Sequence, residues 1–343
     1  HPALALLGCG LCGFSVGILW PGVFSMAGEL CPTGGTAMFA FLALALYYAL
    51  SGLSADTWDY SLPRRIKVLA GISLVAVSVG MSAVVFQTVA ANHILTPGIM
   101  GLDSLYVFLQ TLVIYFCGSG GLGGFAGPPQ FVATVALMSG ACALIFVLMF
   151  RRRDGSVYHA VLVGIVFGIA FEGMSKFMQV IIDPSEFSVL EGRMFASFNR
   201  INVGLLGISA AAVAAAALWM LPDFRNLDAL TLGRSQSVAL GVDYRRVVLK
   251  SIVAVAVLTS ASTALVGPVT FLGIIVASLA RFIFPTYRHG VLIPGAILAG
   301  LCVLTFGMLV TERVLNFAVP LGVVINFAGG IYFIYLMLKY RSL

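Results

Sequence analysis

Charge is what this sequence has least of. Only 13 of its 343 residues are Asp or Glu and 19 are Lys or Arg, 9% in all, whereas a typical soluble domain carries about 25%. That scarcity excludes an ordinary water-soluble domain, and 60% hydrophobic residues with a mean hydropathy of +1.06 make the bilayer the solvent. Polar–apolar alternation is missing too. The apolar runs are continuous and roughly the 20 residues that a helix needs to cross a bilayer, which selects helices over a membrane barrel. No G-x-x-x-x-G-K-[ST] loop is present, so ATP phosphates have no cradle in this chain. The glycine-rich CGSGGLGGFAG at 117–127 lacks the Lys and hydroxyl of that motif and reads as a flexible external loop. There is no H-E-x-x-H, Ser–His–Asp set or site-like carboxylate pair, which argues against an enzyme. The four histidines, His1, His93, His159 and His289, are dispersed near loops and read as solvated. Of the six cysteines, Cys9 and Cys12 have C-x-x-C spacing without a second pair, so all six read as packing residues and no metal or cofactor is implied.

Eleven apolar runs remain. After an N-terminal run at 3–24, they fall near 36–53, 66–90, 102–118, 130–150, 158–181, 201–221, 247–266, 270–285, 291–310 and 320–338. The expected fold is all-α: a polytopic membrane bundle of ten helices at 36–343, built from two five-helix halves. Five being odd, the halves would run in opposite orientations, as transporter repeats do. Residues 1–35 are an N-terminal apolar extension, read as an uncleaved signal-like segment, an extra span or a helix lying on the bundle. With residue 36 on the cytoplasmic side, twelve Lys and Arg fall at cytoplasmic ends and six at outer ends, the usual bias of a multi-pass protein. This bias accounts for the +6 net charge without nucleic acid.

The most polar stretch between the halves is NLDALTLGRSQSVALGVDYRR at 226–246. Residues 229–240 are expected to form one short helix. Asp228 would supply its N-cap and Gly241 would end it. It is too short to cross a bilayer, but it is well placed to receive a push from a soluble partner; an ordinary loop is the alternative on composition alone. Glu172 and Lys176 lie four apart within a run, the favourable order for an ion pair. The spacing implies a self-satisfied pair facing the bundle; the sharper reading puts Lys176 beside a path for an anionic cargo. Arg64, Arg65, Lys67 and Arg313 breach the charge bias at outer ends, and snorkelling to lipid head groups would be a sufficient reason.

LTLGRSQSVALGVDYRR resembles the segment between the sixth and seventh helices of iron-siderophore and vitamin B12 ABC importer permeases of the FecCD type, and the likeness extends over about 36–343. In that family the segment is the coupling helix that docks on the ATPase subunit. The resemblance therefore implies that role for Leu230, Leu232, Gly233, Arg234, Ser237, Leu240 and Gly241. It also implies that Arg64, in Ser61-Leu62-Pro63-Arg64-Arg65, and Arg313 contact a carboxylate of a substrate-binding protein; Ser61 stands where some relatives have a further arginine. NHILTPGIMG at 92–101 and GPVTFLG at 267–273 match family motifs, which puts Asn92, Pro97, Gly98, Gly101, Gly267 and Pro268, with Lys176, on the translocation path or its gate. Ala277-Ser278 replaces the Pro-His of many relatives, and Pro320-Leu321-Gly322-Val323-Val324 matches the opening of the last span.

The details look most like the branch importing ferric catecholate-type siderophores. The implied partners are separate ABC ATPase subunits, a second permease (identical or a paralogue), a periplasmic or lipoprotein binding protein and the ferric siderophore, at the bacterial inner membrane. An ion-coupled secondary transporter is the competing reading.

Overall fold

A computed structural model of the chain describes residues 35–50, 58–118, 127–151, 157–199 and 201–340. The 3–24 run with Cys9 and Cys12, and the glycines at 119–126, lie outside the described residues.

Among the described residues all regular structure is helical. The elements are α1 (Gly35–Leu50), α2 (Trp58–Val89), α3 (Leu102–Cys117), α4 (Pro128–Arg151), α5 (Val157–Ile181), α6 (Pro184–Met194), α7 (Val203–Met220), α8 (Phe224–Leu230), α9 (Arg234–Ala239), α10 (Tyr244–Val266), α11 (Leu272–Ile283), α12 (His289–Arg313) and α13 (Leu321–Tyr340). Seven of the described segments are long and apolar enough to cross a membrane: those of α2, α4, α5, α7 continuing into α8, α10, α12 and α13. Helix α11 has only 12 residues, about 18 Å at 1.5 Å per residue, well short of the roughly 30 Å hydrocarbon core. The 270–285 run is thus no complete span, because Gly267-Pro268 and the turn after it use up its first residues.

The helices α2, α10 and α12 form the centre. Ile72, Val75, Ala76, Ala83 and Val84 of α2 are fully enclosed, as are Val248, Ala256, Leu258 and Ala261 of α10 and Ala296 and Leu304 of α12. Small residues let the backbones approach, as membrane helix packing requires. A Cβ on Gly80 would lie 3.0 Å from the backbone nitrogen of Ile297, and one on Gly300 would lie 3.3 Å from Ala76 Cβ. Between α2 and α10 the Ser78 hydroxyl donates to Leu258 O at 2.5 Å. Around this centre, α4, α5, α7 and α13 keep one face outward.

Candidate functional site

The polar stretch between the halves is not one helix. Helix α8 ends at Leu230, and Gly233 turns the chain with φ +92° before α9 begins. A positive φ suits glycine, which has no Cβ to clash, so the expected continuous helix over 229–240 breaks there. Ser237 braces the break. Its hydroxyl lies 2.9 Å from Ala229 O and 2.6 Å from Gly233 O, and its side chain is fully buried. The end of α9 behaves as expected: Gly241 (φ +84°) donates to Val238 O and Val242 to Ser237 O, the paired bonds of a glycine-terminated helix. Asp243 then caps α10 by accepting from Arg246 N at 3.1 Å. What this rigid turn presents outward is apolar at its edges and polar between: Leu232, Val238 and Leu240 are 56%, 55% and 64% exposed, with Gly233, Arg234, Ser235 and Gln236 also exposed.

Asp228 does not cap its own segment. Its Oδ1 accepts from His289 N at 2.7 Å and from His289 Nδ1 at 2.6 Å, so it caps α12. His289 is 1% exposed, contrary to the reading of a solvated histidine. Its Nε2 is 2.8 Å from Thr88 Oγ1, which also lies 3.0 Å from Val84 O. Nδ1–H donates to the Asp228 carboxylate, and the neutral ring can accept at Nε2 from the Thr88 hydroxyl. Asp228, His289 and Thr88 thereby tie α8 to the start of α12 and the end of α2, one turn before the 92–101 motif.

At the opposite end, Arg65 reaches Glu312 at 2.7 Å and Tyr48 O at 2.6 Å, with its guanidinium over the Tyr48 ring. This pins α1, α2 and the end of α12 together. The neighbours in sequence, Arg64 and Arg313, stay exposed. Two free-standing arginines therefore flank one bonded pair.

The glycine–proline motifs meet inside the bundle. Thr96 Oγ1 donates to Thr270 O at 3.4 Å, and Thr270 Oγ1 donates to Asp103 Oδ2 at 2.7 Å. Gly98 and Gly273 are glycines for space: a Cβ would come within 2.5 Å of Asp103 Oδ2 and 3.1 Å of Thr96 Cγ2. Gly267 (φ +101°) packs on Ala196, whose carbonyl accepts from Gly322 N at 3.0 Å. Ser197 N donates to Val266 O at 2.8 Å. The strap at 195–197 thus joins the ends of α10 and α13. Nearer the α2 terminus, Arg281 donates to Gln87 Oε1 at 2.5 Å. Partial desolvation first, and the Arg281 charge second, hold the His93 imidazole below its ordinary pKa.

The family model of the FecCD transport family matches residues 35–339. The chain belongs to the FecCD transport family. It is 43% identical over 298 residues to the petrobactin import system permease protein YclO of Bacillus subtilis (strain 168), covering 87% of this chain and 93% of that protein. It is 32% identical over 280 residues to the petrobactin import system permease protein FatC of Bacillus anthracis, covering 82% and 79%. A solved inward-facing structure of a metal-chelate type ABC transporter superposes with a TM-score of 0.78 at 20% identity, covering 90% of this chain and 99% of that one. The fold is that of an ABC importer permease.

Within this FecCD fold the residues expected from the sequence separate into several places. Leu230, Leu232, Gly233, Arg234, Ser237, Leu240 and Gly241 share one turn, where Leu230 and Ser237 are its buried support. Pro97, Gly98 and Gly267 line one cavity with Thr270, and Pro268 follows Gly267 in the chain. Gly101 packs instead on α5, where a Cβ would lie 2.6 Å from Gly168 Cα and 2.8 Å from Gly164 O. Asn92 makes a local turn, accepting from Ile94 N at 2.9 Å. Lys176 does meet Glu172, at 2.6 Å, yet their side chains are 70% and 54% exposed, so the pair does not face the bundle. Sequence reasoning missed Asp103, Asp228 with His289, and the 195–197 strap. The local signals were a carboxylate inside or beside an apolar run and a glycine lacking an evident turn.

Proposed function

We propose that this chain is the membrane permease subunit of an ABC importer carrying a ferric siderophore into the cytoplasm of a bacterium. The observation that carries the proposal is the braced turn at 229–242, with exposed Leu232, Val238 and Leu240 on the side to which the Lys and Arg bias assigns the cytoplasm. An ATPase subunit would seat on it, and ATP binding would bias the permease between states through different contacts there. The names of the relatives support the cargo: two are petrobactin import permeases, and another, from Bacillus subtilis, is an iron(3+)-hydroxamate import permease. Ten bundle helices in two five-helix halves is the architecture we infer, with α1, α3 and α11 completing the seven long spans. Arg64 and Arg313 would receive the binding protein. Their planar forks suit carboxylates.

A second permease follows from α5. An exposed ion pair on a membrane helix is costly against lipid, so Glu172 and Lys176 belong at a subunit interface or a wet path. The test is reconstitution of the permease in proteoliposomes with its ATPase and binding protein. Uptake of ferric siderophore should require ATP. Uptake driven by an ion gradient with the ATPase left out would overturn the proposal in favour of a secondary transporter.

A further inference from the structure

Where the 96–103 and 267–273 motifs cross, the bundle encloses a cavity of about 30 Å³. That is room for an ion or a water, each needing roughly 10–15 Å³ of such volume. Ser82, Thr96, Asp103, Thr259, Ser262 and Thr270 are among the residues that line it. The hydrogens of these hydroxyls are largely spent elsewhere. Ser82 donates to Val79 O at 3.2 Å, Ser262 to Thr259 O at 2.9 Å, Thr96 to Thr270 O and Thr270 to Asp103. Their oxygens keep lone pairs to offer. Thr259, 8% exposed, has an Oγ1 without any partner. Asp103 accepts from Thr270 and belongs to none of the four ion pairs among the described residues. An unpaired carboxylate inside a membrane bundle is neutralised either by a proton or by a positive companion. One carboxylate among neutral hydroxyls matches a single charge, whereas divalent ions usually gather several carboxylates.

We propose that this cavity is a site for one small alkali cation of sodium size, held by the Asp103 carboxylate and the hydroxyl oxygens of Thr96, Thr259 and Thr270. Broken helices with exposed backbone are where membrane transporters hold such ions. Here the cation clamps the turn at 96–103 to the break at 267–273. Its role is structural, and it does not depend on which chelate is carried.

The experiment uses the full chain in lipid nanodiscs at constant pH and ionic strength, with choline chloride replaced stepwise by sodium chloride. Thermal unfolding should shift upward by about 3 °C or more and saturate, as for a ligand that binds only the folded state. Thr259→Val keeps the side chain's shape and removes one oxygen, so the sodium concentration for half the shift should rise at least tenfold. Asp103→Asn should abolish the sodium response. Equal unfolding temperatures in sodium and choline overturn the proposal. So does a temperature that follows pH and ignores sodium, which would mean that Asp103 holds a proton. A sodium response that persists undiminished in both variants would place the ion elsewhere and overturn it equally.

Discussion

Two residue pairs look similar in sequence and differ in what they do. Arg64 and Arg65 are adjacent arginines at an outer end, but only Arg65 is spent on structure. It and Glu312 are 13% and 17% exposed, and stranding one partner of such a pair costs about 2 to 4 kcal/mol. Arg65→Leu should therefore lower the unfolding temperature of the purified protein, while Arg64→Glu should leave it unchanged. Arg64→Glu and Arg313→Glu should instead weaken capture of the binding protein, more at low salt than at high, because exposed charges are screened; capture assays at two ionic strengths decide it. Asp228 and His289 are coupled in the opposite sense, since neither is useful alone. Asp228→Asn should destabilise by about 1 to 3 kcal/mol, the range for hydrogen bonds to charged groups. In a double-mutant cycle with His289→Gln the two losses should fall short of adding by about 1 kcal/mol or more. Additive losses would show that the two side chains act independently. Neither pair was legible in the sequence, because their partners lie 247 and 61 positions away.

At the scale of elements, continuous apolar runs are a strong signal, and the long helices follow them closely. What failed to show were the interruptions. The Gly233 break is invisible to composition, since a glycine in a short polar helix is tolerated, and only the backbone at φ +92° reveals the turn. Helix α11 read as a span because 270–285 is apolar, yet Thr270 and Phe271 belong to a crossing whose partner, Asp103, lies 167 positions from Thr270. The turn at 229–242 was legible as a location and not as a shape. Its shape makes a sharper prediction than a helix would. Leu240→Asp puts a charge on an exposed apolar edge and should abolish stimulated ATPase activity and uptake without loss from the membrane. Gly233→Ala forces a side chain into a backbone conformation (φ +92°, ψ 166°) almost exclusive to glycine, so despite the open space around it it should cost about 1 to 3 kcal/mol locally and only partly uncouple. Uptake and stimulated ATPase that both persist in Leu240→Asp would remove the turn from the coupling route.

Among the described residues, apolar faces of α5 and α13 are left without cover. On α5, Phe177 and Val180 are 70% and 85% exposed, and on α13, Phe327 is 72% exposed. Lipid would serve all three residues equally well. It would not serve Glu172 and Lys176, which share the α5 face and keep most of their surface outside the fold. If that face met lipid, the pair would serve no purpose there, and its removal would be neutral or favourable. If it meets a wet path between two permeases, the positive end is a contact for an anionic chelate and the carboxylate keeps it from holding the chelate too tightly. The second arrangement predicts an asymmetry between substitutions. Lys176→Met should cut uptake several-fold at low chelate concentration. Glu172→Gln, which leaves the cation free, should spare or strengthen chelate capture and slow release. The double substitution should insert and fold like the wild type, because the pair is exposed and worth little by itself, yet transport as poorly as Lys176→Met. Initial uptake rates at several chelate concentrations, with membrane levels of each variant measured alongside, separate the cases. Wild-type uptake by the double variant would return the pair to a purely local role on α5.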